Sequence, residues 1–256
     1  MISLNTEEKT PSLLGILGGL GPMSGIYFCE MLTMHTYAQK DSDHLNFLLS
    51  SRADTPDRSS FILGTSDDDP TPRMRSEAKK LEAAGAELLV IPCNTAHYFY
   101  SKVTEAVDIP ILNIIEETAK LCSLEKVKTV GVLATEGTSK SGAYIDIFSK
   151  HGIDILPLSE EEQALVTDTI FGKIKSGLAP DYEKFENLCH SLRSKGCEKV
   201  ILGCTELSLI KKERPLPSFV IDSLEVLCIA ALSACNKTPC GFDDDLMKLY
   251  HTEKGR

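Results

Sequence analysis

Residues 80–95 read KLEAAGAELLVIPCNT, and residues 191–206 read SLRSKGCEKVILGCTE. In both stretches a helix-like pattern ends at a glycine, the residue that most often closes a helix. A short apolar run follows each glycine and ends at a cysteine, Cys93 in the first stretch and Cys204 in the second. Apolar runs this short, without polar alternation, are typical of strands buried on both faces. The two stretches therefore predict helix–strand units of an α/β fold.

A second pair of similar stretches extends the repeat. Residues 13–25 read LLGILGGLGPMSG, and residues 129–142 read TVGVLATEGTSKSG. Their glycines align at an offset of 116 positions, and the cysteine stretches align at an offset of 111 positions. The same order at a nearly constant offset indicates that one α/β unit occurs twice in the chain.

Short apolar runs recur along the chain between longer helical patterns, such as those at 72–84 and 182–195. The runs lie at residues 13–17, 47–50, 88–92, 110–114, 129–133, 200–202 and 218–221. Alternation of this kind predicts an α/β fold with mainly parallel sheets. Together with the repeat, it predicts two pseudo-symmetric three-layer α/β domains with an active-site cleft between them.

The composition excludes several classes of function. A net charge of −10 and a pI near 5.1 argue against nucleic-acid binding, which needs clustered Lys and Arg. The most apolar stretch near the C-terminus, residues 226–234, is too short to span a membrane. The polar N-terminus lacks the pattern of a secretory signal, so we expect a cytoplasmic protein.

The chain has nine cysteines and no C-x-x-C pair. This spacing predicts neither a zinc site nor a thioredoxin-like motif, and no metal is expected. In the expected cytoplasmic setting a disulfide framework is not expected either. Most of the thiols should therefore act as small buried hydrophobic groups.

Cys93 and Cys204 differ from the other cysteines in their position. Each ends a strand pattern and is followed by two polar residues, and ligands of open parallel sheets bind beyond the carboxyl ends of strands. Helix N–H groups at such a junction would lower the pKa of a thiol. Either cysteine alone would more often be a core residue. Two at equivalent repeat positions would face each other across the cleft, as removal of a proton from one face of a carbon and its return to the other require.

The sequence resembles the cofactor-independent aspartate/glutamate racemase superfamily, and within it the aspartate racemase branch. The resemblance covers residues 13–231 and is carried by GILGGLGPMSG (15–25), TPDRS (55–59), IPCNTAH (91–97), IPILNIIEETA (109–119), GVLATEGTSKSGAY (131–144), KIKSG (173–177) and LGCTELSL (202–209). It implies a two-domain α/β racemase, usually homodimeric, that works without a cofactor. It also implies crossed connectivity, with residues 1–112 and 217–256 forming one domain and residues 113–216 the other.

The resemblance also implies roles for individual residues. Cys93 and Cys204 match the catalytic pair. Further positions match residues that line the substrate site, namely Asn94, Thr95, Thr135, Gly137, Thr138 and Thr205. Arg58 and Lys175 match basic residues beside the side-chain acid of the substrate, which suits the capture of a carboxylate.

Four further residues are assigned from their chemistry. Backbone N–H groups of Gly19 and Gly21 in the glycine loop could cradle a carboxylate. Arg52 would add a third positive group. His97 follows Cys93 by one helical turn, so it either holds the start of that helix or tunes the thiol, unless it is simply a surface histidine.

Two departures disfavour the glutamate racemase branch, which has Asp-Ser where this chain has Leu17-Gly18 and Cys-Thr-His where it has Cys204-Thr205-Glu206. The predicted function is therefore interconversion of L- and D-aspartate. Glutamate or cysteate remains an alternative because of Arg52. A hydantoin racemase or decarboxylase of the same fold, and a non-enzymatic protein that binds acidic metabolites, are further alternatives.

Overall fold

In the computed structural model, which describes residues 12–254, eight strands form two parallel sheets of four strands each. The first sheet has the spatial order β2 (Asn46–Ser51), β1 (Leu13–Gly18), β3 (Leu88–Val90) and β4 (Ile111–Leu112). The second sheet has the matching order β6 (Asp154–Leu156), β5 (Thr129–Leu133), β7 (Lys199–Leu202) and β8 (Val220–Asp222). The matching orders confirm the predicted two-domain α/β fold built from a repeated unit.

The strands alternate with helices throughout this part of the chain. The helices are α1 (Pro22–Met34), α2 (Arg58–Ile62), α3 (Thr71–Ala83), α4 (Tyr100–Thr104), α5 (Ile114–Leu124), α6 (Glu136–Lys140), α7 (Ala143–Lys150), α8 (Glu160–Thr167), α9 (Tyr182–Ser194), α10 (Ser208–Glu213), α11 (Ser223–Ala234) and α12 (Asp244–Lys254). A π-helical turn at Asp168–Lys173 continues α8, and short 3₁₀ turns lie at Asp41–Asp43, Thr95–Phe99 and Ile174–Ser176. Within residues 12–254 no helix is both long enough and apolar enough to cross a bilayer.

The two halves share one apolar core. It includes buried residues of β1 and β5 and of the helices α5 and α11, which pack against each other between the sheets. The apolar stretch 226–234 forms most of α11 and is almost entirely buried there. Separate apolar clusters lie on the α3 side of the first sheet and on the α9 side of the second. The shared core keeps the carboxyl ends of β3 and β7 close together.

Two details of the strands differ from the prediction. The run at 110–114 forms only two residues of strand, because the Asn113 side chain accepts hydrogen bonds from Ile115 N and Glu116 N and so begins α5. Strand β6 was not predicted at all. It is a three-residue edge strand whose side chains are partly exposed, so no continuous apolar run marks it.

The C-terminal segment divides between the halves differently from the predicted boundary at residue 217. Strand β8 pairs with β7 and therefore completes the second sheet, whereas the next helix, α11, contacts α1 and α5. Val220 and Ile221 are buried and lie in register with Val200 and Ile201 of β7, so the burial of this apolar pair in the second sheet is the physical reason for the difference. The crossed connectivity of the remaining C-terminal residues stays a prediction.

Candidate active site

Cys93 and Cys204 line one small cavity beyond the carboxyl ends of β3 and β7. Both residues are buried, with 6% and 4% of their surface exposed. The cavity has a volume of about 10 Å³, roughly enough for one water molecule. The other residues that line it are Leu20, Asp57, Arg58, Ser59, Asn94, Thr95, Thr135, Lys175, Thr205 and Glu206. The two halves of the chain thus contribute one thiol each to a closed site.

A second cavity adjoins this catalytic cavity. Its volume is about 330 Å³, and it shares Asp57, Arg58, Lys175 and Glu206 with the smaller one. The predicted glycine-loop residues Gly19 and Gly21 line this outer cavity. Because these four charged side chains border both spaces, the outer cavity extends the catalytic one.

A cluster of buried hydroxyl groups joins the halves beside the cysteines. Thr95 Oγ1 lies 3.1 Å from Thr135 Oγ1 and 2.8 Å from Thr138 Oγ1, and the last two are 3.0 Å apart. Ser59 Oγ donates to Thr135 Oγ1 over 3.2 Å. On the other side of the cavity, Thr205 Oγ1 donates to the carbonyl oxygen of Pro92 over 3.2 Å. The predicted threonines therefore all lie at the contact between the halves.

Gly137 has a different place from the one predicted. It lies outside both cavities, at the contact between α6 and α2, where a Cβ atom would come within 2.7 Å of Ser59 Cα. The residue is a glycine because the two backbones approach so closely. Gly137 thus lets the halves close instead of contacting the substrate site.

Asn94 is fixed by a chain of buried hydrogen bonds. Its Oδ1 accepts from Tyr144 Oη at 2.7 Å, and its Nδ2 donates to Ser223 Oγ at 3.0 Å. Ser223 Oγ in turn donates to the carbonyl of Leu202 at 2.7 Å, at the end of β7. This chain orients the residue next to Cys93 from the second half of the molecule.

The two predicted basic residues both reach the catalytic cavity. The Arg58 guanidinium donates to the backbone carbonyls of Leu20, Pro56 and Thr55 at 2.6, 2.8 and 3.1 Å. Its Nε atom is buried and has no hydrogen-bond partner within residues 12–254. Lys175 Nζ lies 3.6 Å from Glu206 Oε1 and 4.8 Å from the centre of the Phe171 ring. One donor of Arg58 and the ammonium of Lys175 thus remain available to a ligand.

Arg52 does not reach the site. Its guanidinium pairs with the Asp54 carboxylate at 2.8 Å and lies 3.7 Å from that of Glu77, and the residue lines neither cavity. The expectation of a third positive group is corrected by this geometry. The carboxylates of Asp54 and Glu77 already balance the positive charge of Arg52, so it is not available to a substrate.

His97 is buried and is not a surface histidine. The geometry fits an Nδ1–H that donates to the carbonyl of Cys93 at 2.9 Å and an Nε2 that accepts from Ile114 N at 3.3 Å. Burial lowers the pKa of His97 to about 4, so the ring is neutral. His97 therefore holds the backbone that carries Cys93, as one of the alternatives predicted.

The pKa values of the two site cysteines contradict the expectation of depressed values. Burial is the largest influence and raises the pKa of both thiols, that of Cys204 well above its ordinary range. At Cys93, Arg58 and Lys175 oppose this rise and Glu206 adds to it. At Cys204, Lys175 opposes the rise and Glu206 adds to it through its charge and its hydrogen bond with the thiol. The short helical turn after Cys93 does not outweigh the loss of solvent. Both groups are therefore thiols in this closed form.

All nine cysteines of the chain are free thiols in this structure. Across the described residues 12–254, no three His, Cys, Asp or Glu side chains are grouped so that they could hold a metal ion.

A family model described as Asp/Glu/Hydantoin racemase matches residues 17–231. The chain belongs to this family. It is an amino-acid racemase, and thus an isomerase. The structure of the racemase superposes on that of Picrophilus torridus aspartate racemase with a TM-score of 0.77 at 27% identity, over 93% of this chain and 99% of the other. For an aspartate racemase homologue from Pyrococcus horikoshii OT3 the TM-score is 0.73 at 26% identity, over 88% and 99% of the chains.

A relative found by sequence is also a racemase, and its name describes a broad substrate specificity. The broad specificity amino-acid racemase RacX of Bacillus subtilis (strain 168) is 27% identical to this racemase over 227 residues. These residues are 86% of this chain and 97% of RacX.

Glu206 is a site residue of this racemase that the sequence-based assignment missed. The Cys204 thiol donates to its Oε2 at 3.0 Å, whereas its buried Oε1 has no hydrogen-bond partner in the described part of the chain. A Cβ atom on Gly21 would clash with that Oε1, so the glycine makes room for the carboxylate. The repeat contained the signal, because the offset that aligns the cysteines also aligns Glu206 with Thr95.

Asp57 was also missed. It lines both cavities of the racemase and begins α2, where its carboxylate accepts from Ser60 N at 2.7 Å. Despite burial, these hydrogen bonds and the positive charges of Arg58 and Lys175 lower its pKa. The pattern of a helix cap in TPDRS could have indicated its position.

Proposed function

We propose that this racemase interconverts L- and D-aspartate by moving the α-proton between Cys93 and Cys204, without a cofactor. One observation carries the proposal: cysteines from equivalent positions of the two halves line a single small cavity, and both are buried there. Similarity to Picrophilus torridus aspartate racemase supports the choice of substrate.

The chemistry needs one thiolate and one thiol at a time. The thiolate removes the α-proton and becomes a thiol, leaving a carbanion. The opposite thiol then donates its proton to the other face of the α-carbon and becomes the thiolate. The enzyme ends each turnover with the proton moved from one sulfur to the other, ready for the reverse reaction.

The surroundings of the two sulfurs favour Cys93 as the group that ionises first. Arg58 and Lys175 both lower the pKa of Cys93, because their positive charges favour a thiolate. The Cys204 thiol instead donates to the Glu206 carboxylate, which stabilises its protonated form. Of the two thiols, Cys93 is thus the one that more readily loses its proton to act as the base, and Cys204 is the one held protonated as the acid.

Unsatisfied polar atoms support a zwitterionic substrate. Arg58 Nε is a buried donor and Glu206 Oε1 a buried acceptor, and both belong to residues that line the catalytic cavity. Buried polar atoms are rarely left unpaired, so a carboxylate and an ammonium group of the ligand would complete them. The hydroxyl cluster of Thr95 and Thr135 supplies further donors for the α-carboxylate. Preorganised donors of this kind are each worth about 2.7–4 kcal/mol in other enzymes.

The side-chain acid of aspartate would lie near Lys175, which lines the outer cavity and whose ammonium lies 3.6 Å from Glu206 Oε1. Replacement of Lys175 by Met removes this charge but keeps most of the side-chain length. We expect KM for aspartate to rise at least about tenfold, the effect of one charge-assisted contact. KM for alanine, which has no side-chain acid, should change little. An equal rise for both substrates would refute a role of Lys175 in side-chain recognition.

A second candidate is a racemase of wider substrate range. The outer cavity of about 330 Å³ is larger than aspartate needs, and two carboxylates, Asp57 and Glu206, balance its two cations. Similarity to the broad specificity racemase RacX also favours this candidate.

The experiment is an assay of both enantiomers of aspartate, glutamate, cysteate, alanine and lysine by chiral chromatography. The proposal predicts the highest kcat/KM for aspartate and the loss of racemisation in Cys93→Ala and in Cys204→Ala. Comparable values for neutral and basic substrates would favour the second candidate. Substantial turnover by either cysteine variant would refute the two-thiol mechanism.

A further inference from the structure

A third cavity lies in the second half, apart from the catalytic one. Its volume is about 970 Å³, which is within the range of roughly 300–1,000 Å³ typical of small-molecule sites. Helices α6 and α7 form one wall, and α8 with the π-helical turn forms the other. Residues of β5 and β6 lie at its base.

The interior of this cavity is apolar and its rim is acidic. Val132, Leu156 and Phe171 are among the apolar residues inside it. Glu160 and Asp168 also line it, and neither has an ion pair with a cationic side chain within the described residues 12–254. A Cβ atom on Gly172 would clash with the Asp168 carboxylate, so this glycine leaves room for the charge beside the cavity.

The acidic rim is not neutralised by the other charged groups that line the cavity. Lys140 lies 2.7 Å from Glu136, and these two residues cancel each other. Two uncompensated negative charges therefore remain beside an apolar interior. This combination favours a ligand with an apolar body and one positive charge.

Two residues of this cavity contact residues of the catalytic site. Phe171 lines the cavity, and its ring lies 4.8 Å from the ammonium of Lys175. Thr138 also lines it, and its hydroxyl lies 2.8 Å from that of Thr95 in the cluster beside Cys93. A ligand that shifts either side chain changes a contact of the catalytic cavity.

We propose that this cavity is a second ligand site for an aromatic or aliphatic amine, and that its occupancy alters racemisation through Phe171 and Thr138. The ammonium of the ligand lies at one of the two rim carboxylates, Glu160 or Asp168, and the apolar body lies on Phe171 and the base of the cavity. The site is separate from the substrate's, so the binding part of this proposal does not depend on which amino acid is racemised.

The test uses tryptamine as the probe and indole-3-propionate as the matched anion. The chain contains no tryptophan, so the fluorescence anisotropy of the indole reports binding directly. Tryptamine should bind saturably, about tenfold more tightly than indole-3-propionate at low salt, because two exposed carboxylates favour the cation. Saturating aspartate should not displace it, and saturating tryptamine should change KM for the racemised substrate at least about twofold, within the usual range of coupling between sites.

Two variants assign the binding to this cavity. Ala164 lines it from α8, and Ala164→Phe should narrow the space and weaken both the binding of tryptamine and its effect on KM. The matched control is Ala83→Phe, at an exposed alanine of α3, which should bind as the wild type does. The double variant Glu160→Gln with Asp168→Asn keeps the volume of the two side chains but removes their charges. It should lower the affinity for tryptamine to the affinity for indole-3-propionate.

Several results would overturn the proposal. Absence of saturable binding, or unchanged binding in Ala164→Phe, would show that the cavity is no such site. Equal affinity for the cation and the anion would remove the role of the rim. Binding without any effect on KM would refute the coupling through Phe171 and Thr138.

Discussion

Replacement of Glu206 by Gln perturbs the contact that distinguishes the two thiols. Glu206 Oε2 accepts from the Cys204 thiol at 3.0 Å, and its charge raises the pKa of both Cys204 and Cys93. The amide of Gln has the same shape but no charge. The substitution therefore removes the repulsion between the carboxylate and a thiolate at Cys204.

The separation of the two groups sets an upper limit on the effect. Two unit charges 3.0 Å apart repel each other by about 5 kcal/mol at an effective dielectric constant of roughly 20, which corresponds to about 4 pKa units. Side-chain relaxation and the remaining amide dipole reduce this value. We expect the pKa of Cys204 to fall by at least about one unit.

The assay follows the ultraviolet absorbance of the thiolate during a pH titration. Cys93→Ala and the double variant Cys93→Ala with Glu206→Gln are titrated, so that the carboxylate and the amide are compared without Cys93. The same titration of Cys204→Ala identifies the part of the absorbance change that belongs to Cys204. In the enzyme with both cysteines, the pH profile of kcat/KM should shift toward acid by a similar amount. Glu206→Asp keeps the charge and should shift the profile much less. A pKa of Cys204 that stays unchanged or rises in Glu206→Gln would refute the electrostatic role assigned to Glu206.

Three further predictions concern stability and closure. Burial lowers the pKa of His97 to about 4, so its neutral form contributes stability above about pH 6.5, and up to about 3 kcal/mol of the free energy of unfolding should be lost as the pH falls toward about 4. Urea unfolding of His97→Gln should show a weaker pH dependence of that free energy between these pH values. An unchanged pH dependence would contradict the prediction. Burial raises the pKa of Cys122 to about 12, so the free energy of unfolding should fall by up to about 1.4 kcal/mol per pH unit above about pH 9. The fall with pH should be less steep in Cys122→Ala. Equal slopes in the wild type and the variant would count against this prediction. Gly137→Ala would place a Cβ atom 2.7 Å from Ser59 Cα and should lower kcat/KM at least about tenfold by holding α2 and α6 apart. Because the clash is with the backbone, the melting temperature should also fall; full activity in the purified variant would disprove this prediction.

Much of the fold could be predicted because its buried strands are continuous apolar runs. The strands before Cys93 and Cys204 are of this kind, and the repeat places them in matching positions. Strand β6 escaped because edge strands are short and partly exposed, so their composition resembles that of a loop. The boundary at residue 217 differed because strand pairing depends on tertiary contacts that no local pattern contains.

The site was predicted less completely than the fold. Cysteines and threonines next to strand ends could be located, because the end of each apolar run marks the end of a strand. The partners of the charged groups could not be, since they depend on side chains distant in sequence: Arg58 donates to Leu20, and Arg52 lies near Glu77. The same limit explains the thiol pKa values, because burial of Cys93 and Cys204 outweighs the helix termini and is set by the closure of the two halves.

The two-thiol mechanism is tested most directly by racemisation of L-aspartate in heavy water, stopped at low conversion. If Cys93 and Cys204 act on opposite faces, the D-aspartate formed contains deuterium at the α-carbon. The recovered L-aspartate keeps its hydrogen, because the cysteine that removed the proton as a thiolate returns the same proton to that face. Deuterium present to the same extent in the recovered L-aspartate and in the D-aspartate would show a single exchanging base and would contradict the mechanism.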